Sequence, residues 1–323
     1  MWNLPLGDRA VFAPASLFAT PPTGGIFIDT DFFVATSPQD PAIAWYSQGH
    51  WNSTPNCELF PWSKQVGSVP WPANLSITEG GNNALALCLP DGDSMIYTQP
   101  AYRCGVAATP LLSLLDKAHG TGSLRGNGDH GGHGGSALNA IGGSLRAGEL
   151  LPTSPGPGPR HVLKVQLWAK QYYYGFAHGA NWSTCYRYPA LVCDGYADNP
   201  ALYGGANPKL TPGALLAVPQ AALPALLASL RTPPARALAW TLATYGALLC
   251  DDTYADRATF NAEAGFAGAF GAAWGFPFEA AAGPWFEDVL ALWRALMIVD
   301  SNSAATPGGG GAPLAPPPPP FCA

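Results

Sequence analysis

Alternating hydrophobic and polar residues give the clearest strand signal of this chain in His161–Trp168. The leucine and valine residues at 163, 165 and 167 share one face, while Lys164 and Gln166 share the other, as the two-residue period of a strand requires. Two apolar runs occur earlier, at Gly25–Ile28 and Phe32–Ala35. Other short strands are predicted at Tyr188–Cys193, Ala214–Val218 and Ala247–Cys250.

A β-hairpin is predicted in the first third of the chain. Two short apolar runs, Ala84–Leu89 and Ser94–Gln99, flank the sequence Pro-Asp-Gly-Asp. These residue types favour a tight turn, so the two runs are expected to pair as neighbouring strands.

Two helices are predicted in the last third of the chain. Ala235–Tyr245 has apolar residues at helical spacing and is followed by Gly246, a residue type that commonly ends helices. Pro284–Leu296 begins with proline in its first turn and repeats large apolar residues at helical spacing. Short strands at irregular spacing with two late helices predict a mainly β fold. A β-sandwich or jelly-roll-like core with two added helices is favoured over a parallel α/β sheet.

Length and composition predict one folded domain with a tail. The chain has 323 residues, of which 48% are hydrophobic, so it can bury a substantial core. A single β-rich domain is predicted over residues 1–306, with a glycine-rich insertion at 120–135. Residues 307–323 contain runs of glycine and proline and are predicted to form a flexible tail.

The charge of the chain excludes several partners. Fifteen basic and 21 acidic residues give a net charge of −6 without a basic stripe, which argues against a nucleic-acid partner. No run of about 18 apolar residues is present, so no membrane span is predicted. No cofactor is predicted either.

Cysteines and sequons favour an extracellular or cell-wall location. Seven scattered cysteines fit one to three structural disulfides with an odd thiol, although buried free thiols are an equal alternative. Sequons for N-glycosylation begin at Asn52, Asn74 and Asn181. The first 20 residues lack the pattern of a signal peptide, which keeps a cytosolic enzyme with reduced thiols as a further alternative.

The glycine-rich insertion invites two chemical interpretations. It lacks the Gly-Lys-Ser/Thr ending of a phosphate-binding loop. Asp129, His130 and His133 could ligate a metal, but a glycine-rich loop loses much conformational entropy when it is ordered around an ion. A low-complexity loop without a metal is therefore the favoured interpretation.

Candidate catalytic residues lie directly downstream. In this sparsely charged chain, Arg146, Glu149, Arg160, His161 and Lys164 fall within 19 residues. A half-buried histidine with a carboxylate partner can act as a general base near neutral pH, which makes His161 the candidate base. Glu149 would orient His161 or act as the acid, and Arg146 or Lys164 would neutralise a substrate carboxylate. The alternative is a histidine at the edge of the core, bonded to a backbone carbonyl.

Aromatic residues are concentrated in the 36 residues from Trp168 to Tyr203. Because flat rings beside polar groups commonly hold sugars, Tyr172, Tyr174 and Tyr196 are candidate substrate-binding residues, together with Asp251. The alternative is that these rings fill the core. Asp251 and its neighbour Asp252 are expected on opposite faces of a strand, so they cannot form a catalytic pair by themselves.

Several segments together resemble a known family. They are Trp2–Leu6, Gly142–Leu150, Arg160–Lys164, Tyr188–Ala190, Thr244–Thr253, Val299–Asn302 and Gly308–Gly311. Together they resemble a family of largely uncharacterised, secreted, β-rich bacterial proteins that carries a His-Ala-Leu strand. The resemblance implies a secreted β-rich domain and supplies no reaction. The glycine-rich insertion and the alanine-rich residues 258–283 depart from the family pattern as low-complexity additions, of a kind typical of a GC-rich, green-algal genome.

These observations predict an extracellular protein that binds or cleaves a polysaccharide. A lyase mechanism fits one base and one charge-neutralising group, whereas hydrolysis usually needs two carboxyl groups that flank the bond. A non-catalytic cell-wall or matrix protein is the alternative from a different class.

Overall fold

The computed structural model describes residues 1–48, 57–78, 81–105, 109–113, 120–123 and 131–316. Strands predominate in these residues and form a ten-stranded and a four-stranded sheet, so the fold is mainly β as predicted. The sequon at Asn52, the candidate ligands Asp129 and His130, and Cys322 lie outside the described residues.

The elements follow one another in this order along the chain. The strands are β1 (Phe12–Pro14), β2 (Ile26–Ala35), β3 (Ala42–Ser47), β4 (Lys64–Pro70), β5 (Ala84–Cys88), β6 (Ser94–Thr98), β7 (Ala101–Tyr102), β8 (Leu111–Ser113), β9 (Gly120–Ser123), β10 (Leu163–Leu167), β11 (Leu215–Ala217), β12 (Ala247–Asp252), β13 (Ala258–Glu263) and β14 (Met297–Val299). The helices are α1 (Ala169–Tyr172), α2 (Leu223–Ser229), α3 (Pro233–Thr244), α4 (Phe266–Trp274) and α5 (Gly283–Ala295).

The large sheet is mixed and has the order β1-β14-β11-β12-β10-β13-β2-β5-β6-β9. Strand β10 is parallel to β12 and antiparallel to β13, while β13, β2 and β5 run parallel to one another. The predicted hairpin is confirmed as the antiparallel pair β5–β6. Its turn is held by Asp91, whose Oδ1 accepts hydrogen bonds from the backbone N–H groups of Asp93 and Ser94.

One face of the large sheet packs against helices. Apolar residues of β2, β10, β12 and β13 share a buried cluster with apolar residues of α3, α4 and α5. Both predicted helices are confirmed as α3 and α5, and each has proline in its first turn. Gly246 follows α3 with a φ of 78°, which glycine adopts without steric cost. The helices cover this face of the sheet, and the polar residues of the candidate site lie on the opposite face of the same strands.

The small sheet has the order β4-β3-β8-β7 and packs near β2 and β5 of the large sheet. The shared cluster includes Val34 and Leu85 of the large sheet and Trp45, Val69 and Leu111 of the small one. Buried apolar contact between the two sheets therefore stabilises this end of the molecule.

Three expectations need correction. Tyr188–Cys193 forms no strand, because the chain turns at Tyr188 and Pro189 and a proline cannot donate to a sheet ladder. The alanine-rich residues 258–283 are no peripheral addition, since they supply the central strand β13 and helix α4. Residues 307–314, assigned to a flexible tail, are ordered against the N-terminal segment through backbone hydrogen bonds that include Gly7 to Gly308 and Leu314 to Leu6.

Two disulfides join described cysteines, Cys57 to Cys104 and Cys185 to Cys193. Cys88 and Cys250 are buried. Disulfides of this kind are compatible with an oxidising, extracellular compartment. Among the helices of the described residues, none is both long and apolar enough to cross a membrane.

Candidate functional site

Two aspartates interrupt the apolar sequence of β2. The strand runs continuously through both predicted apolar runs, with Ile26 and Ile28 in the cluster beneath the helices. Asp29 and Asp31 are two positions apart, so both side chains lie on the opposite face of the strand. Both are buried, so their carboxyl groups need partners inside the protein.

The partners lie on the neighbouring strands. Gln166 of β10 donates its Nε2 to Asp29 Oδ2 at 2.6 Å and to Asn261 Oδ1 at 3.2 Å. Asn261 of β13 is fully buried and places its Nδ2 3.3 Å from Asp29 Oδ2 and 3.4 Å from Asp31 Oδ1. We call Asp29, Asp31, Lys164, Gln166, Asn261, His133 and Asp251 the polar layer.

Lys164 is the cation of the polar layer. Its Nζ lies 2.9 Å from Asp31 Oδ2 and donates to the carbonyl oxygens of Asn139 and Ala140 at 3.3 and 2.8 Å. Burial raises the pKa of Asp31, but Lys164 and His133 outweigh it, so the net shift is downward. The role in neutralising a substrate carboxylate assigned to Lys164 does not fit, because three oxygen atoms match its three N–H donors inside the protein.

The end of the glycine-rich insertion covers the polar layer. His133 is fully buried, with Nε2 3.3 Å from Asp31 Oδ1 and Nδ1 3.4 Å from Asp251 Oδ2. Burial lowers the pKa of His133, but the neighbouring Cys250, Asp251 and Asp31 raise it well above its ordinary value. A histidine from a segment interpreted as a low-complexity loop thus lies at the centre of the site.

Gly134 and Gly135 permit this close approach. A Cβ atom on Gly134 would overlap the carboxylate of Asp251, and one on Gly135 would overlap the carboxylate of Asp194. The backbone N–H of Gly135 donates to Asp251 Oδ1 at 3.1 Å. Gly135 therefore lies between two carboxyl groups, in a position that only glycine fits.

A bulge directs Asp251 into the polar layer. Val165 pairs with Leu249 and Gln166 with Asp251, so Cys250 has no residue opposite it on β10. Such an extra residue re-aims the side chains that follow it. Asp251 then accepts hydrogen bonds from Asn82 Nδ2 at 3.2 Å and from the backbone of Asp252 at 2.9 Å.

Three aspartates meet at the edge of the polar layer, and we call Asp194, Asp251 and Asp252 the aspartate cluster. Burial and the nearby charge of Asp251 raise the pKa of Asp194 from 3.8 to about 8. Burial also raises the pKa of Asp252. Asp194 is therefore protonated at neutral pH beside two further carboxyl groups.

Tyrosines surround the aspartate cluster. Tyr203 donates its hydroxyl to Asp194 Oδ2 at 2.5 Å, and Tyr196 donates to Asp252 Oδ2 at 3.1 Å. Tyr254 packs edge-on against the Tyr196 ring, with centroids 5.9 Å apart, and is 66% exposed. Its φ of 53° is unusual for a bulky residue, and its backbone N–H donates to Asp252 Oδ1 at 2.9 Å. An exposed ring is thus held next to the aspartate cluster.

The predicted pair of His161 and Glu149 lies together. His161 Nε2 is 3.1 Å from both carboxylate oxygens of Glu149, and Nδ1 is 2.9 Å from the carbonyl oxygen of Val162. Glu149 also accepts the backbone N–H of Arg146 at 2.8 Å. Both ring nitrogens face oxygen atoms of the protein, so the ring connects the 146–149 turn to the residue before β10.

Of the other predicted residues, Arg146 lies beside this pair, and the tyrosines Tyr172 and Tyr174 lie elsewhere. Arg146 Nη2 donates to the carbonyl of Ile141 at 2.8 Å, and its guanidinium lies over the Phe33 ring. Tyr172 is part of the core beneath the helices, and its hydroxyl accepts the backbone N–H of Phe18. Tyr174 donates to the carbonyl of His178. Of the predicted site residues, only Lys164, Tyr196 and Asp251 belong to the polar layer or contact the aspartate cluster.

We expect Glu149→Gln to lower the free energy of unfolding by about 1–2 kcal/mol at neutral pH. A hydrogen bond to a charged group contributes roughly 1.5–3 kcal/mol, reduced here by partial exposure. Burial raises the pKa of Glu149, but His161 more than offsets it and the net shift is downward from 4.5. The contribution of the carboxylate is therefore present above pH 4.5 and disappears as the pH falls through the lower folded-state pKa.

Chemical denaturation of Glu149→Gln across this pH range tests the expectation. The matched control is Glu287→Gln, because Glu287 pairs with Arg231 but is 61% exposed. A stabilising ion pair would be contradicted if Glu149→Gln lowered the free energy of unfolding no more than the control does. It would also be contradicted if the loss of stability were the same at acidic pH as at neutral pH.

Sequence reasoning missed Asp29, Asp31, Gln166 and Asn261. The available signal was a pair of polar residues two positions apart inside an otherwise apolar strand, which places both on one face. Asp194 was one of several aspartates that could supply a carboxylate, and the sequence could not single it out because Asp251, which raises its pKa, comes from a distant segment. No family model, no curated protein and no solved structure matches this chain, so its chemistry must be inferred from these side chains.

Proposed function

We propose that this protein is an extracellular glycoside hydrolase whose reacting groups belong to the aspartate cluster. The observation that carries the proposal is the burial of the Asp194 carboxyl group beside Asp251 and Asp252, which raises its pKa to about 8, with the exposed ring of Tyr254 next to them. Glycoside hydrolysis typically uses two carboxyl groups, one protonated and one ionised, on either side of the scissile bond.

Asp194 is the proposed general acid. With a pKa of about 8 it keeps its proton at neutral pH and can give it to the oxygen of the leaving sugar. The hydroxyl of Tyr203, 2.5 Å from Asp194 Oδ2, fixes one oxygen of the carboxyl group. The other oxygen is the one proposed to face the substrate.

Asp252 is the proposed second carboxylate, which attacks the sugar or activates a water molecule. Its Oδ1 accepts the backbone N–H groups of Ala169 and Tyr254 at 2.8 and 2.9 Å, and its Oδ2 accepts the Tyr196 hydroxyl. These three donors favour the ionised carboxylate and oppose the effect of burial, which raises the pKa of Asp252. Asp251 acts on Asp194 through its charge.

Hydrolysis has more support than the lyase mechanism expected from the sequence. A lyase needs an imidazole nitrogen free to remove a proton, whereas both nitrogens of His161 face oxygen acceptors of the protein. Lys164, one of two proposed neutralising groups, is fully buried against Asp31. The lyase mechanism remains the alternative, and the products of the reaction distinguish it from hydrolysis.

A non-catalytic glycan-binding protein of the cell wall or matrix is the second candidate. Exposed rings favour it without any use of the acids, because Tyr254 and Trp182 are 66% and 52% exposed. The two disulfides and the exposed sequon residues Asn74 and Asn181 support an extracellular location for either candidate. The β-sandwich core likewise stays a proposal.

The test is incubation with a panel of neutral glycans and uronans, with separate measurement of new reducing ends and of unsaturated sugars. Hydrolysis predicts reducing ends without unsaturation, lost in Asp252→Asn and retained in His161→Gln. An unsaturated product that depends on His161 would overturn hydrolysis in favour of the lyase. Binding without any product would support the matrix protein.

We expect Tyr254→Ala to weaken binding of the glycan by roughly tenfold, because a stacked ring contributes about 0.5–1.5 kcal/mol beyond burial. Tyr254→Phe keeps the ring and should bind nearly as well as the natural protein. Calorimetric titration measures both, and equal affinities of the alanine and phenylalanine variants would exclude a stacking role. Alanine keeps the Cβ atom at this positive φ, so both variants have similar backbone strain.

A further inference from the structure

We infer that Asp29, Asp31 and His133 bind one divalent cation, and that this cation is Zn²⁺. One ligand atom from each residue lies within 4.8 Å of the others. His133 Nε2 is 3.3 Å from Asp31 Oδ1 and 3.6 Å from Asp29 Oδ2. Ligands about 2.1 Å from a tetrahedral zinc ion are about 3.4 Å apart, so these two spacings are those of a zinc site.

Asn261 provides an independent indication of an ion. Its amide Nδ2 faces the same three atoms, at 2.9 Å from His133 Nε2, 3.3 Å from Asp29 Oδ2 and 3.4 Å from Asp31 Oδ1. An amide nitrogen has two hydrogens and cannot satisfy three acceptors. Asn261 Oδ1 accepts a hydrogen bond from Gln166 Nε2, which fixes the orientation of the amide. The protein therefore offers three ligand residues, Asp29, Asp31 and His133.

His133 is oriented as a metal ligand would be. Its Nδ1 is buried, has no hydrogen-bond partner among the described residues, and faces Asp251 Oδ2 at 3.4 Å. Histidine ligands commonly direct their second nitrogen at a carboxylate, which fixes the ring and strengthens the metal bond. Asp251 is suited to this positioning role.

The charge of the polar layer also favours a cation. Asp29, Asp31 and Asp251 bring three buried carboxylates together, and the cations that face them are Lys164 and, where it is protonated, His133. Uncompensated buried charge is strongly unfavourable, and a divalent ion held by the neutral imidazole would, together with Lys164, balance all three carboxylates.

The donor set selects among metals. One imidazole nitrogen with two carboxylate oxygens suits Zn²⁺, whose open sites have three protein ligands and a fourth position for water. Ca²⁺ and Mg²⁺ prefer oxygen ligands alone, in larger numbers or with octahedral geometry. The ion would hold His133 and, two residues further on, Gly135, whose backbone N–H donates to Asp251. This inference concerns binding and does not depend on the proposed hydrolysis.

The test uses the full chain, freed of metal by dialysis against a chelator and then titrated with Zn²⁺, Ca²⁺ or Mg²⁺ in a calorimeter. We expect one Zn²⁺ per chain, no comparable binding of Ca²⁺ or Mg²⁺, and a rise of several degrees in the melting temperature. Failure of the natural protein to bind Zn²⁺ stoichiometrically would overturn the inference without any variant. Equal binding of all three ions would overturn the assignment to zinc.

Variants locate the ion. Asp29→Asn and His133→Gln should each weaken Zn²⁺ binding by at least about 100-fold, because each removes a ligand. Cys250→Ser and Asp198→Asn are the controls, one a buried thiol near His133 and the other an exposed aspartate. Loss of binding in Cys250→Ser with retention in Asp29→Asn would assign the ion to the thiol instead. Cobalt substitution adds a check by absorption, since tetrahedral nitrogen and oxygen ligands without sulfur give weak visible bands and no thiolate charge-transfer band.

Discussion

Replacing Lys164 with methionine is expected to lower the free energy of unfolding by about 3–5 kcal/mol, the largest loss of stability that we expect from one substitution. The methionine can fill the space of the lysine stem but leaves Asp31 as a buried carboxylate without its cation. It also removes the donor to the carbonyl oxygens of Asn139 and Ala140. Both consequences act in the folded state, where water cannot replace the lost partner.

The matched control for Lys164→Met is Lys209→Met. Lys209 Nζ lies 2.6 Å from Asp300, but the side chain is 44% exposed, so removing it should cost about 0–1 kcal/mol. Urea denaturation measures both variants. Adding Asp31→Asn to Lys164→Met should recover part of the loss, because the amide removes the unpaired charge. Equal stability of the two lysine variants would contradict a buried ion pair as the source of the effect.

The strand around Lys164 illustrates what the sequence could predict. Alternation correctly assigned Leu163, Val165 and Leu167 to one face and Lys164 and Gln166 to the other. The hairpin and the two late helices were also predictable, since each depends on residues close in sequence. Local signals of this kind are present wherever the partners are neighbours along the chain.

Burial of the polar face could not be predicted from alternation. A polar side of a strand usually faces water, but here residues 131–145 cover it, and that cover depends on contacts between distant segments. Gly134 and Gly135 illustrate the difficulty, because low complexity in the sequence conceals two positions where only glycine fits. The same tertiary contacts bury Lys164 against Asp31, so it is not available as a substrate ligand.

The site combines residues that no local pattern links. Asp251 was a candidate because of its charge. The face of the sheet on which its side chain lies depends on the register shift between Val165 and Gln166, and simple alternation along the strand does not predict that shift. Asp194 depends on Tyr203, nine residues away, and on Asp251, which comes from another part of the chain. The pair of His161 and Glu149 was predicted correctly as a contact, and its catalytic role stays a prediction.

Asp194→Asn is expected to reduce glycan cleavage by about 10²–10⁴-fold, the range typical for loss of a general acid. Asparagine matches the neutral carboxyl group in shape and can keep a contact with Tyr203, but it has no proton to give. Folding and glycan binding should therefore be retained. The control is Asp198→Asn, an exposed aspartate four residues away, which should cleave at the natural rate.

The pH dependence separates a general acid from a structural carboxyl group. Because the pKa of Asp194 is about 8, cleavage by the natural protein should fall above pH 8, by about tenfold per pH unit. The folded protein also binds more protons than the unfolded chain between pH 3.8 and 8, so its free energy of unfolding should decrease as the pH rises through this window. Asp194→Asn should remove that decrease. If cleavage stays constant above pH 8, or if Asp194→Asn loses stability with rising pH as the natural protein does, Asp194 does not hold the proton that the mechanism requires.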